Sequence, residues 1–524
     1  MPRLLSEEPA TSRRIVDIRR PMSKYGARIA IALTSLLVAC GGGRSDPSPD
    51  AGAAGSGGGK AGSSGSSAGG SGGASGSGGA GATGGLTGGG GTTGGVGGNA
   101  GNGGTTGGVA GGGAGGTGGT SGDGGPGPYV TSIRSQTVNK IDLLFMIDNS
   151  SSMSDKQNVL ADAVPELVDR LIEPKCVDPA TGKVVGNAVN GVCTVGILEF
   201  NPIKDIHIGI VSSSLGNHGA VGVCEDAIDT SIGRSDPHNN DQGHLIARGS
   251  GGTNVPTFQS KGFLYYNPSV AGALASAAAV ATPFTDMVKG VGQHGCGYEA
   301  SLEAVYRFLI DPDPFSTIRI DTSIGGFGQA LLTGTDTMLL QQRKDFLRPD
   351  SLVSIVLVTD ENDCSVIDGG QGFYAILPPI PGTGKSALQR GTSACLTNPN
   401  DRCCYNCGQQ SAPAGCAPPE SDPECMKGEL TVVDDQPNLR CFNQKKRYGV
   451  DFLYPVQRYI DGFTQTRISN RRGEIVANPL FADLTCNPGV SCTQQRDPSF
   501  VLVTGIVGVP WQDIAVNPSD LSAG

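Results

Sequence analysis

Four stretches of the chain are almost continuously apolar. They read IDLLFMID, IHIGIVSSS, SLVSIVLVTD and FVLVTGIVGV, and they begin at Ile141, Ile206, Ser351 and Phe500. Runs without polar residues at alternate positions predict strands that are buried on both faces of a parallel sheet. Polar residues follow at once in the first and third stretches, so these strands are expected to end near Asp148 and Asp360.

Between these stretches, apolar residues return at intervals of three and four, which is the spacing of one helix face. The pattern predicts helices over VLADAVPELVDRLIE (159–173), ASLEAVYRFLI (300–310) and residues 454–463. The Ala-rich segment VAGALASAAAVA, which begins at Val270, predicts a further helix of a soluble kind. Alternating strands and helices predict an α/β fold, a doubly wound and mostly parallel sheet with a long disulfide-rich insertion at about 365–450.

Composition separates this folding part from the segment before it. The chain has 84 glycines, and residues 51–128 consist almost entirely of Gly, Ser, Thr and Ala. Such a segment has too little apolar surface to offset its conformational entropy, so residues 41–128 are predicted to be a disordered tether. The domain attached to it is predicted to occupy residues 129–524.

The first 40 residues contain the features of an export signal. The stretch MSKYGARIAIALTSLLVAC, from Met22, has a basic start, an apolar run too short for a stable membrane span, and a final cysteine. Its ending LVAC resembles the bacterial lipoprotein box, which implies that Cys40 carries lipid and begins the mature chain. Residues 1–40 are therefore predicted to be a lipoprotein signal peptide with Met22 as the true start. The alternative is a core helix that ends in cysteine.

Removal of this peptide makes the chain more acidic. The whole chain has a net charge of −10, and its first 40 residues hold seven basic and three acidic side chains, so the mature chain would carry −14. An acidic surface repels phosphate backbones, which excludes nucleic acid as the expected partner, and it is compatible with divalent cations. Contact with a membrane is expected through the lipid anchor, at the outer membrane or cell surface.

Cysteine usage agrees with export. Of 15 cysteines, the 14 besides Cys40 form an even set, which predicts disulfides in an oxidising compartment. Cys176 and Cys193 are expected to close one excursion, and Cys486 and Cys492 a tight loop. Seven more cysteines crowd into residues 395–441, where disulfides would replace a core. Zinc bound by CCYNC (403–407) is the alternative there.

Oxygen-bearing side chains gather at two of the predicted strand ends. Asp148, Ser150 and Ser152 follow the first strand at alternate positions, and Asp360 ends another. Ligands of α/β sheets bind beyond the carboxyl ends of the strands, where two carboxylates and two hydroxyls would make a hard oxygen site for Mg²⁺. The positive end of the next helix favours an anionic ligand beside the metal.

DNSSSMSD together with VLVTDENDCS resembles the von Willebrand factor type A domain and its metal-ion-dependent adhesion site, from about Tyr129 to the end of the chain. The resemblance implies that Asp148, Ser150 and Ser152 ligate Mg²⁺ (or Mn²⁺ or Ca²⁺) and that Asp360 is the acid of the third loop. It also implies that a protein or other surface ligand completes the coordination with a carboxylate.

The second loop, HGCGYEASLEAV, departs from that family pattern. Gly297 or a neighbour stands where the family has a threonine, and Glu299 is the closest oxygen donor, which makes it the fifth candidate metal ligand. Cys296 and Cys364 lie in the second and third loops, and they or Cys224 are expected to form a bond that clamps the site.

Simpler interpretations stand beside this one. Asp148 and the serines could cap the helix that begins near Met153, and TDENDCS could be an acidic surface turn. The stretch SSSLGNHG (212–219) contains serine and histidine after a strand, and a loop is favoured there over a hydrolytic pair. The sequence has no G-x-S-x-G elbow, P-loop or H-E-x-x-H motif.

These patterns predict a surface lipoprotein that binds a protein or other ligand through a divalent-metal-dependent adhesion site and is not an enzyme. One alternative is an envelope protein in which the metal only holds the loops. The other is a hydrolytic enzyme or an enzyme-assembly factor.

Overall fold

The central feature of the protein is a sheet whose strands come from distant parts of the chain. The computed structural model describes residues 138–189, 191–228, 230, 237–324, 328–486 and 495–508. The predicted signal peptide, Cys40 and the predicted tether lie outside the described residues. Within them the strands are β1 (Lys140–Ile147), β2 (Lys175–Val177), β3 (Val184–Asn187), β4 (Ile197–Leu198), β5 (Asp205–Ser212), β6 (Leu264–Tyr266), β7 (Thr317–Asp321), β8 (Gln329–Thr333), β9 (Leu352–Thr359), β10 (Arg467–Ser469), β11 (Ile475–Ala477) and β12 (Val501–Val507).

The helices are mostly short and lie between these strands. In the described part of the chain they are α1 (Ser154–Ile172), α2 (Ala277–Gly290), α3 (Ser301–Leu309), α4 (Thr337–Phe346), α5 (Ser393–Thr397), α6 (Gln444–Tyr448) and α7 (Val456–Thr464). None of the helices in this described part is long and apolar enough to cross a membrane.

The main sheet has the strand order β12-β9-β1-β5-β6. Its first four strands are parallel, and β6 pairs antiparallel with β5 at the edge. These four parallel strands are the four that the apolar runs predict. In the parallel register Ile147 stands beside Val358 on one side and Ser212 on the other, so the carboxyl ends of β1, β5 and β9 meet at one edge.

Helices cover both faces of this sheet. Along β1, Leu143 and Phe145 join a buried cluster with α1 and α2, whereas Leu144 and Met146 join another with α3, α4 and α7. Because successive side chains of a strand point to opposite faces, a strand covered on both sides must be apolar throughout. The structure therefore confirms an α/β fold with a mostly parallel sheet.

Three of the four predicted helices form within a few residues of their expected positions, as α1, α3 and α7. The Ala-rich helix was expected from Val270, and this start is wrong, since α2 begins at Ala277. Gly272 has a φ of +81°, which a right-handed helix cannot contain. The helix starts instead after Ser276, whose hydroxyl accepts a hydrogen bond from the backbone N–H of Ala279 at 3.2 Å.

Disulfides hold the long segment between β9 and α7, which contains the predicted insertion. Three of these disulfides lie within the predicted insertion, residues 365–450: Cys395–Cys404, Cys403–Cys416 and Cys407–Cys425. The zinc alternative for CCYNC is therefore wrong, because all three of its sulfurs are bonded to other sulfurs. Elsewhere Cys176 and Cys193 form the predicted bond. Cys486 is also disulfide-bonded, and its expected partner, Cys492, lies outside the described residues.

Candidate metal site at the carboxyl ends of the strands

Asp148 follows β1 directly and is completely buried. Its backbone N–H donates to the carbonyl of Val358 at 2.9 Å, which ties it to β9. Its Oδ1 accepts the backbone N–H of Ser150 at 2.8 Å, and its Oδ2 accepts the hydroxyl of Thr359 at 2.7 Å. Burial raises the pKa of the Asp148 carboxyl, and these hydrogen bonds oppose that shift. The carboxylate is thus held in one orientation.

The other predicted oxygen donors lie in a continuous chain of contacts. The Ser150 and Ser152 hydroxyl oxygens are 2.9 Å apart, and the Ser152 hydroxyl donates to Oδ1 of Asp360 at 2.9 Å. The structure therefore brings together the two ends that the sequence places 208 residues apart. Side-chain oxygens of this kind suit a hard divalent cation.

The two simpler interpretations do not account for these contacts. A short 3₁₀ turn, Ser151–Met153, precedes α1, and neither its N-cap, Ser150, nor the N-cap of α1, Met153, makes a side-chain capping bond. The acidic turn is also more than a solvated loop, since Asp360 accepts from Ser152 and Asp363 accepts the backbone N–H of Leu302 at 2.9 Å. The capping interpretation is therefore wrong, and the acidic turn, whose Glu361 and Asn362 are exposed, is tied to the first and second loops through Asp360 and Asp363.

Glu299 lies in the second loop and has only 3% of its surface exposed. Its carbonyl accepts the backbone N–H of Cys364 at 2.7 Å, which joins the second loop to the third. Burial, followed by the charges of Asp148 and Glu361, raises the pKa of the Glu299 carboxyl to about 8. Among the described residues, no donor of another residue forms a hydrogen bond or ion pair with this carboxylate.

The donor set is a mixture of carboxylates and hydroxyls. Within the described ranges, no three His, Cys, Asp or Glu side chains converge as a metal-holding group. The candidate site thus depends on Ser150 and Ser152 as well as on the acids. Oxygen donors of this composition fit Mg²⁺, Mn²⁺ or Ca²⁺ in chemistry and do not fit softer metals.

Sequence reasoning missed two charged neighbours of the site. Glu361 accepts from the Ser152 hydroxyl at 3.3 Å, and its pKa is raised by burial and by Asp148 and Asp360. Lys156, in the first turn of α1, places its Nζ 3.1 Å from Oδ2 of Asp360. Glu361 directly follows Asp360, and Lys156 is one helical turn after Ser152. Their nearness in sequence to predicted ligands is the only signal that could have indicated them.

Asn149 is a third residue that the sequence patterns did not single out. It is buried, its side-chain amide donates to the carbonyl of His238 at 2.9 Å, and its side-chain oxygen accepts from the Ser214 hydroxyl at 2.8 Å. Its own carbonyl accepts the backbone N–H of Gly295 at 2.8 Å. The backbone of this residue, which stands between two predicted ligands, therefore connects the first loop to the second.

Two disulfides border the site. Cys224 bonds to Cys296 in the second loop, and Cys364 in the third loop bonds to Cys441. The expected bond through Cys224 is thus present, and a direct Cys296–Cys364 bond is excluded because each sulfur has another partner. The second and third loops are each anchored separately, the third to the end of the Cys-rich segment.

The serine and histidine of SSSLGNHG do not form a pair in the described residues. Ser212 donates to Asp241 at 2.6 Å, and Ser214 donates to Asn149. His218 Nδ1 lies 2.8 Å from Oδ1 of Asp368. These contacts hold loops together.

Comparison of the chain with protein-family models, with curated proteins and with solved structures finds no match.

Proposed function

We propose that residues 129–524 form a doubly wound domain similar to the von Willebrand factor type A domain, which binds a ligand through a divalent cation. Asp148, Ser150, Ser152 and Asp360 would hold the cation, Mg²⁺ or otherwise Mn²⁺ or Ca²⁺, and Glu299 is the carboxylate that the second loop can add. The observation that carries this proposal is the unbroken chain of oxygen contacts from Ser150 through Ser152 to Asp360, beside the buried Asp148.

The residues of the chain have separable roles in this proposal. Thr359 and the backbone N–H of Ser150 orient the Asp148 carboxylate, so that little reorganisation is needed on binding. Ser152 connects the first loop to Asp360 in the third. A bound cation would supply an electrophilic position for an oxygen of a protein or other surface ligand, such as a carboxylate. Such a function is binding and requires no bond to be broken.

We further propose that the chain is exported and anchored by lipid on Cys40, at the outer membrane or cell surface. The basic and apolar pattern of residues 22–40 supports export, and so do the many disulfides, which persist in oxidising compartments. Metabolic labelling with a radioactive fatty acid tests the anchor. Label should enter the wild type and be lost in Cys40→Ser, and equal labelling of both would contradict lipidation.

The metal proposal is tested by thermal unfolding of the purified chain in Mg²⁺ and in chelator. A ligand that binds only the folded state stabilises it by roughly 2.7 kcal/mol at a hundredfold excess over its Kd. We expect Asp148→Ala to abolish this gain. Asp162→Ala, which removes an exposed carboxylate on α1, should leave it unchanged. Identical melting of the wild type with Mg²⁺, Mn²⁺, Ca²⁺ and chelator would contradict the proposal.

A further inference from the structure

A cleft of about 430 Å³ opens beside the candidate metal site. Four parts of the chain line it: the second loop, the third loop, the end of the Cys-rich segment, and Gly508 after β12. Its lining includes Gly297, Glu299, Asp360, Glu361, Pro437 and Phe442. This volume is within the range of ordinary ligand pockets.

Acidic side chains form the polar part of this cleft. Asp360 is paired with Lys156, whereas the Glu361 carboxylate receives, among the described residues, only the Ser152 hydroxyl. Glu299 lines the cleft and has only 3% of its surface exposed. Its carboxylate receives no hydrogen bond or ion pair from another of the described residues. A buried carboxylate without a counter-charge is costly, so Glu299 either keeps a proton or takes up a positive group from outside.

The part of the lining that comes from the end of the Cys-rich segment is apolar and aromatic. Phe442 has 53% of its surface exposed, although it is a large apolar side chain, and Pro437 lies in the same wall. The neighbouring residue, Cys441, is bonded to Cys364 in the third loop, so the wall is fixed covalently next to Glu361. The guanidinium of Arg440, next to Cys441 in the chain, is fully buried and paired with Asp435.

We propose that this cleft binds a lysine or arginine side chain of a peptide or protein partner, with its charged end at Glu299 and Glu361 and its aliphatic stem against Phe442. Long basic side chains combine an apolar stem with a cationic end, and cations are attracted to aromatic faces. A carboxylate would be repelled by the same acids. The inference rests on the proposed function, in which an oxygen of the ligand binds the metal at the carboxyl ends of the strands. It adds that the same ligand carries a basic side chain, which enters the neighbouring cleft.

The test uses two small probes with the same four-carbon stem, Nα-acetyl-lysine methylamide and Nα-acetyl-norleucine methylamide, titrated into the full chain in chelator and followed by NMR. The lysine probe should bind saturably, and the norleucine probe at least tenfold more weakly. Glu299→Gln should weaken the lysine probe at least tenfold. The control Glu166→Gln, which changes an exposed acid on α1, should not weaken it.

A blocking variant gives a second measurement that does not alter charge. A Cβ atom at Gly297 would meet nothing within 4 Å, and Gly297 lines the cleft, so Gly297→Leu is expected to place its side chain in the cleft. It should abolish binding of the lysine probe while circular dichroism and the melting temperature stay those of the wild type. Equal binding of both probes, or lysine binding that survives Glu299→Gln and Gly297→Leu, would overturn the inference.

Repeating the titration in Mg²⁺ separates this inference from the metal proposal. Lysine binding in chelator, with no thermal gain from Mg²⁺, would support lysine binding in the cleft and contradict the metal proposal. A thermal gain from Mg²⁺ without lysine binding in either buffer would overturn the inference about the cleft and leave the metal proposal intact. Lysine binding that Mg²⁺ abolishes would also overturn it, since the metal would then be the positive group that Glu299 receives.

Discussion

The ammonium of Lys156 lies 3.1 Å from the Oδ2 atom of Asp360 and holds a tethered positive charge against the acid of the third loop. The same Nζ donates to the carbonyl of Ser152 at 3.0 Å and to Asp155 at 2.9 Å. The hydrogen bond to Asp155, followed by that to Asp360, raises the pKa of Lys156. Lys156 therefore stays charged at neutral pH and competes with any cation that Asp360 would bind.

Lys156→Gln should strengthen divalent-metal binding. An exposed ion pair contributes up to about 1 kcal/mol, so a gain of about threefold to fivefold in affinity is expected when the competing charge is removed. Calorimetric titration with MgCl₂ measures this. Lys156→Arg keeps the charge and serves as the matched control. Unchanged affinity in Lys156→Gln would show that the lysine does not compete.

Glu299 should make the metal-free protein less stable as pH rises. Its pKa in the folded chain is about 8, above its ordinary value of 4.5, so the fold holds a proton that the unfolded chain has lost. The free energy of unfolding therefore falls between about pH 4.5 and pH 8, by at most about 1.4 kcal/mol per pH unit for one group, and the loss is complete above pH 8.

Glu299→Gln should remove this part of the pH dependence and should be more stable than the wild type at pH 8. The measurement is denaturant unfolding of both proteins in chelator from pH 5 to pH 9. Other buried acids also titrate, so the contribution of Glu299 is the difference in the free energy of unfolding between the two proteins at each pH. Parallel pH profiles would mean that Glu299 ionises as readily as an exposed glutamate.

Gly295 and Gly297 provide a matched pair of substitutions in the second loop. A Cβ at Gly295 would lie 2.2 Å from Oδ1 of Asn149, whereas one at Gly297 would meet nothing within 4 Å. Gly295→Ala should therefore cost about 1–3 kcal/mol and reduce the thermal gain from Mg²⁺, because it separates the first and second loops. Gly297→Ala should stay within about 0.5 kcal/mol of the wild type in chelator melts. Equal effects would mean that the contact with Asn149 is unimportant.

The Cys224–Cys296 disulfide should matter to the site as well as to stability. Its sequence separation is 72, and the Cys224→Ser/Cys296→Ser double variant should lose roughly 2–4 kcal/mol of stability. The Cys176–Cys193 bond, with a separation of 17, lies away from the metal loops and is the control. Both double variants should melt earlier, and only the first should lose affinity for Mg²⁺ in calorimetry. Equal Mg²⁺ affinity in the two variants would contradict a clamping role.

The four parallel strands of the main sheet, and the acids at the ends of two of them, could be predicted from the sequence. A strand covered on both faces must be apolar throughout, so the four parallel strands are visible as four apolar runs. Parallel strands in one sheet have their carboxyl ends at one edge, which brings Asp148 near Asp360 from local pattern alone. Helices α1, α3 and α7 are visible for the same kind of reason, because one apolar face repeats along each.

Which side chains surround these acids depends on how the loops pack in three dimensions. Asn149, Lys156 and Glu361 carry no periodic signal, and their roles depend on contacts between loops that are distant in sequence. The same holds for the partners of Cys296 and Cys364, since cysteines pair according to distance in space, across 72 and 77 residues here. The cleft wall at Phe442 exists because the Cys364–Cys441 bond brings the Cys-rich segment back to the third loop, and local hydrophobic patterns contain no information about such a return.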